Sequence, residues 1–299
     1  MIHELAVDEL ESHLVKLGTE YDKVLFDTSA VNLPVDSGNF STFVLGVNSI
    51  DEFVEEHVRN VVSFSDLMVA MLENFRQVTS IDDVVDELGK LILNLESKRN
   101  YLVNRSADHQ PCYNDPKLGR ATYGRIIGEY INAVKLVERY LHLRRTSFAD
   151  DPLSVTIFEV LSSLNKRFRF DEKTKTAERH NAFRGLSISQ SNPYTDQRLV
   201  SVALAGALRG ESVAVITQDS DYLHLANSFY QFLSSKDLYV PERLVERARR
   251  SNLAMFNNGF LKWYTMQEPS SRSYDFSTLG MGEAGRAIKN RLHKLLIYL

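Results

Sequence analysis

The chain has 299 residues, 43% of them hydrophobic and 25% charged, a balance that supports one large domain or a domain with a big insertion around its own core. A net charge near -4 excludes a protein that is basic throughout, and the lone Cys112 excludes an internal disulfide or a cysteine-rich zinc site. No stretch approaches the roughly 20 apolar residues of a membrane span.

The average charge conceals an asymmetry. Residues 96–190 hold 17 basic and 11 acidic side chains, and the remainder holds 18 and 28. A basic segment in an acidic protein is either a polyanion-binding surface or a set of solvated helix faces. The start, MIHELAVDELESHLVKLG, lacks the basic and apolar regions of a signal peptide. A soluble, cytoplasmic protein without membrane association is the expectation.

In chain order, Leu5, Val7, Leu10, Leu14 and Leu17 recur at helical spacing. KVLFDTSAV follows, where Val24, Leu25 and Phe26 run without polar alternation into Asp27; such a run predicts a strand buried on both faces, as in a parallel sheet. Residues 51–75 carry a helical pattern, with His57 on its apolar face as a core or boundary histidine. Gln77-Val78-Thr79 reads as a short strand. Ser80 is placed to cap the next helix, whose first turn holds Asp82 and Asp83 and whose middle holds Glu87.

The middle section begins with a loop around Cys112 and continues as two predicted helices, residues 121–145 and 151–168, then a polar stretch to about residue 192. TDQRLVSVALAGALRG reads as a helix capped by Thr195, SVAVIT as a second buried strand ending before Asp219, and YLHLANSFYQFL as a helix. Strand alternating with helix implies an α/β fold with a parallel sheet. The last 70 residues mix helix with strand, as in LAMFNNGFLKWYTM, and close on a helix with Ala284, Ile288, Leu292 and Leu295 on one stripe.

The position of the acids is the informative feature. Asp27 and Asp219 follow the two buried strands, and ligands of parallel α/β sheets bind outside the carboxyl ends of strands. Asp196 opens the helix before the second strand and reaches the same edge only if the preceding loop returns there. Plainer roles are a helix-start acid for Asp196, a surface acid for Glu87, and turn and strand residues for Ser29 and Thr217. GMGEAGRA at 280–287 lacks the preceding strand a dinucleotide fingerprint needs, and His180 and His224 lack a paired nucleophile.

Four segments together resemble the PIN-domain nuclease family: KVLFDTSAV its opening strand, VVDEL at 84–88 its second motif, TDQRLVSVAL at 195–204 its third, and VAVITQDSDYLHLA at 213–226 its fourth. The resemblance covers residues 20–95 and 192–230, and leaves the middle section and the C-terminal 70 residues outside. It implies a PIN-like three-layer α/β fold with a central parallel sheet. Residues 1–95 and 192–299 would form the PIN-like domain and its extension, and residues 96–191 a basic, mostly helical insertion. It also implies a nuclease using Mg²⁺ or Mn²⁺, with RNA as the expected substrate and DNA as the alternative.

Physics is compatible with this. Like charges about 4 Å apart repel by about 4 kcal/mol at an effective dielectric near 20, so clustered carboxylates call for a cation, and oxygen ligands suit a hard one. Asp27 and Asp219 are then expected as direct metal ligands, Asp196 as a ligand directly or through water, and Glu87 as the group orienting metal-bound water or a second ion. Asp221 joins as a further or supporting ligand, and Ser29 and Thr217 would hydrogen-bond the carboxylates. Arg144, Arg145, Lys166, Arg167 and Arg169 would grip the nucleic acid, with Tyr123, Tyr130, Phe168 and Phe170 as stacking candidates against the alternative of core packing. Other readings are a PIN fold that binds RNA or a protein without cutting, a structure-specific DNA nuclease, and a toxin held by a small antitoxin; an oligomer or protein partner is compatible with each.

Overall fold

The strand run 23–26 is an interior strand of a five-stranded sheet in a computed structural model of the chain. The structure describes residues 15, 17–31, 69–104, 120–164, 194–217, 221–234, 240–248, 252–257, 260–265 and 283–299. Strand β1 (Lys23–Phe26) pairs in parallel with β2 (Val78–Thr79) on one side and β3 (Val213–Thr217) on the other. The register sets Val24 against Ala214 and Phe26 against Ile216, so the two apolar runs are neighbours, as expected. β4 (Asn252–Asn257) continues the parallel order beside β3, and β5 (Phe260–Thr265) closes the edge antiparallel to it. The mixed C-terminal segment is thus a hairpin whose strands flank Asn258-Gly259, a dipeptide favoured in two-residue connections.

β3 is buried along its whole length, and in β1 only Lys23 escapes full burial. Both faces therefore need covering, and helices supply the cover. Helix α1 (Asp82–Asn104) buries Val84, Val85, Leu88, Leu91, Ile92 and Leu95, the stripe its periodicity marks. It packs against α2 (Arg120–Arg144), which buries Ile131, Val134, Val137 and Leu141. α3 (Pro152–Leu164) packs on α4 (Thr195–Arg209), and α4 lies on β3 and β1. α5 (Asp221–Leu233) and α6 (Glu242–Ala248) lie between β3 and β4 in the chain, and α7 (Glu283–Ile297) packs on α3 with Leu292 and Leu296 inward. Each fully buried Leu, Val or Phe contributes about 1.5–3 kcal/mol, so this shared core dominates the favourable terms.

The expected boundary between residues 95 and 96 falls inside α1. Side chains of α2 and α3 belong to the same hydrophobic core as the sheet. The tie is also polar: Thr146 N–H donates to Ser80 O at 2.9 Å, Thr79 Oγ1 donates to Arg144 O, and Ile81 and Thr146 form an isolated parallel bridge. α4 ends at Gly210, whose left-handed φ of 99° lets its N–H reach back to Ala207 O. Among the described residues no helix is long and apolar enough to cross a membrane. His57, His180 and Cys112 lie outside the described residues, as does most of the helix expected over residues 4–17, of which the described residues 15 and 17 are helical.

Candidate active site

Asp27 stands one residue beyond β1, and its N–H still donates to Ile216 O at 3.0 Å, so its backbone extends the ladder. A 3-10 turn, Thr28–Val31, follows at once, closed by Ala30 N–H donating to Asp27 O. This turn aims consecutive side chains in different directions. Ser29 folds back on Asp27, while Thr28 reaches helix α1.

Among the described residues, the hydrogen bonds the Asp27 side chain accepts converge on one oxygen. Thr217 Oγ1, at the end of β3, donates to Asp27 Oδ2 at 2.7 Å; Ser29 Oγ donates to the same oxygen, and Ser29 N–H approaches it at 3.3 Å. The two hydroxyls lie 2.9 Å apart. Asp27 is 3% exposed, and Oδ1 takes no hydrogen bond among the described residues. A carboxylate held this way has its rotamer fixed by one oxygen and the other left for a ligand.

Glu87, on the second turn of α1, is 5% exposed. Its Oε2 accepts from Thr28 Oγ1 at 2.8 Å and its Oε1 from Thr195 Oγ1 at 2.6 Å. Those threonines neighbour Asp27 and Asp196 in sequence. Burying a carboxylate is costly unless it is hydrogen-bonded, and here each oxygen has a hydroxyl donor. Thr195 is therefore not the cap of α4. The cap position is Tyr194, with no side-chain cap bond, and the Thr195 hydroxyl is spent on Glu87. Ser80 departs from expectation in the same way, donating to Phe26 O at 2.5 Å.

Asp196, in the first turn of α4, is half-buried and accepts from Tyr222 Oη at 3.3 Å. Tyr222 is fully buried in the first turn of α5. Asp219 and the side chain of Asp221 lie outside the described residues; the described residues that bracket them, Thr217 and Tyr222, bond Asp27 and Asp196. Hydroxyl bridges thus link the elements carrying Asp27, Glu87 and Asp196. Among the described residues no group of three or more acidic, histidine or cysteine side chains is arranged to hold a metal ion.

The expected nucleic-acid contacts fare differently. Arg144 is half-buried, donates to Phe75 O at 3.0 Å and lies over the Tyr140 ring. Arg145 pairs with Asp82 at 2.7 Å and meets the His142 ring. Tyr130 is not available for stacking: it is buried, its hydroxyl donates to Val31 O at 3.0 Å, and burial pushes its phenol well above the usual range. Lys166, Arg167, Arg169, Phe168 and Phe170 lie outside the described residues, as do the side chains of Tyr123 and His224.

Sequence reading gave Thr28 and Tyr222 no site role and took Thr195 only as a helix cap. The signal was present for Thr28 and Thr195, since each is the immediate neighbour of a candidate aspartate. No protein-family model, curated protein or solved structure matches this chain.

Proposed function

We propose that this chain is a Mg²⁺- or Mn²⁺-dependent nuclease with a PIN-like three-layer fold, cutting RNA in preference to DNA. The observation that carries the reading is the one-sided hydrogen bonding of Asp27. A nearly buried carboxylate sits at the carboxyl end of the β1–β3 strand pair, locked through Oδ2 by Ser29 and Thr217, with no described residue bonded to Oδ1. The order of the four sequence segments and the Thr28–Glu87–Thr195 bridge between the 3-10 turn after β1 and α4 support it. The preference for RNA rests on the family resemblance alone.

The donor set suits a hard divalent cation, because every candidate ligand is a carboxylate oxygen. Asp27 and Asp196 would hold it together with Asp219 and Asp221, from the chain between Thr217 and Tyr222. The chemistry such a cation supplies is neutralisation of phosphodiester charge and activation of water. The protein's own residues have separable tasks. Ser29 and Thr217 fix the Asp27 rotamer. Tyr222 orients Asp196. Glu87, through its two threonines, sets the spacing of the elements that bear the aspartates.

The test is cleavage of single-stranded RNA and DNA by purified full-length protein, with Mn²⁺ or with EDTA, alongside Asp27→Asn. Cleavage that needs the ion and vanishes in the variant is the expected result. Equal cleavage by the variant would overturn the proposal, and nucleic-acid binding without metal-dependent cutting would favour the non-cutting binding module.

A further inference from the structure

Arg198 lies two residues beyond Asp196 on α4 and takes part in none of the contacts described above. Its Nη1 donates to Asp83 Oδ1 on α1, and the side chains of the pair are 30% and 13% exposed. Its guanidinium also lies against two rings, 5.5 Å from the centroid of Phe148 and 5.6 Å from that of Phe158. Those rings meet edge to face at 5.4 Å, and Phe158 meets Tyr194 in the same manner at 5.8 Å. The Arg198 Nε is buried without a hydrogen-bond partner among the described residues. A planar, weakly hydrated cation tolerates that setting, whereas a compact ammonium does not.

Asp83 and Glu87 are four apart on α1, and Thr195 and Arg198 three apart on α4. Residues so spaced share a helix face, so the Arg198–Asp83 and Thr195–Glu87 contacts form two rungs between the same helices. Such bracing serves the first turn of α4, whose cap residue Tyr194 makes no side-chain cap bond. That turn carries Asp196, the candidate ligand.

We propose that Arg198 is a positioning residue: caged by Phe148 and Phe158 and paired with Asp83, it fixes the first turn of α4 so that Asp196 meets the divalent cation. The functional half of this statement rests on the nuclease reading; the bracing half does not. Outer groups that orient ligands typically govern about 10- to 100-fold in metal affinity or activity.

The experiment uses the full-length protein and two variants, Arg198→Lys and Asp83→Asn. Hydrogen–deuterium exchange in metal-free buffer reports the first turn of α4, and electron paramagnetic resonance reports Mn²⁺ affinity. Both variants are expected to speed exchange in that turn while exchange in β1 and β3 stays at the wild-type rate. Mn²⁺ affinity is expected to fall about tenfold, with kcat falling and KM for RNA unchanged. Wild-type exchange in both variants would overturn the bracing. Faster exchange with wild-type Mn²⁺ affinity would make Arg198 structural only and overturn the positioning role. If the wild type itself binds no Mn²⁺ and does not cut, the nuclease reading and the positioning role fail together, while exchange still decides the bracing.

Discussion

Replacing Glu87 by Met removes both hydroxyl acceptors and keeps most of the side-chain volume. A carboxylate whose main role were metal binding would be relieved of repulsion by this change, and the metal-free protein would gain stability. The geometry gives the opposite sign. Thr28 and Thr195 are 4% and 2% exposed, so their hydroxyls would lose a charged acceptor where water cannot replace it. Hydrogen bonds to a charged partner contribute about 1.5–3 kcal/mol each. Two of them, less the relief of a buried charge, set the loss at about 3 kcal/mol. With an unfolding entropy of about 2.1 cal/mol/K per residue over 299 residues, that lowers Tm by roughly 5 °C. The assay is urea and thermal unfolding in EDTA. Adding Thr28→Val and Thr195→Val to the Glu87→Met background should recover most of the loss, because removing both sides of a buried hydrogen bond is nearly neutral. A Glu87→Met protein as stable as wild type without metal would refute the reasoning.

Asp27→Asn should abolish metal-dependent cleavage yet leave Tm in EDTA within a few degrees of wild type. The amide keeps one carbonyl oxygen for Ser29 and Thr217, and the weaker bonds are offset by reduced repulsion. Burial raises the Tyr130 phenol above its ordinary 10.0, so the stability it contributes is present in full below pH 10 and lost as pH rises beyond it. The difference in urea midpoint between wild type and Tyr130→Phe should therefore shrink from pH 8 to pH 11; a constant difference would contradict the burial. Arg144→Gln should lower stability by about 1 kcal/mol through the lost bond to Phe75 O, with little effect on RNA affinity. Replacing Lys166, Arg167 and Arg169 together by Gln should instead flatten the log–log salt dependence of RNA binding by about two, at roughly 0.7 per phosphate contact, and unfolding and filter-binding measurements separate the two cases.

The adjacency of β1 and β3 was legible because each is a short apolar run with no polar face, and two such strands bury one another best at the centre of a sheet. The end of each run also marked Asp27 and Asp219. The two misread caps show where local rules stop. A hydroxyl just before a helix usually serves that helix, but Ser80 has the carbonyl of Phe26 within 2.5 Å and Thr195 has a buried carboxylate within 2.6 Å. Both acceptors are far away in sequence, so no window of neighbouring residues contains them. Arg144 likewise has a partner no local window contains, a backbone carbonyl 69 residues away. The β4–β5 pair was not read from the sequence, where LAMFNNGFLKWYTM gave only a mixture of helix and strand.

Residues 120–164 put a constraint on how this acidic edge can work. A substrate-gripping insertion could be deleted or exchanged while the catalytic domain kept its shape. Here the same stretch contributes Tyr130, which holds the turn behind Asp27 through Val31 O, and Phe148 and Phe158, which cage Arg198 above Asp83. Of the 17 basic and 11 acidic side chains in residues 96–190, this stretch holds only 6 and 5, so its described role is packing. Among the described residues it is thereby tied to the elements bearing Asp27 and Asp196.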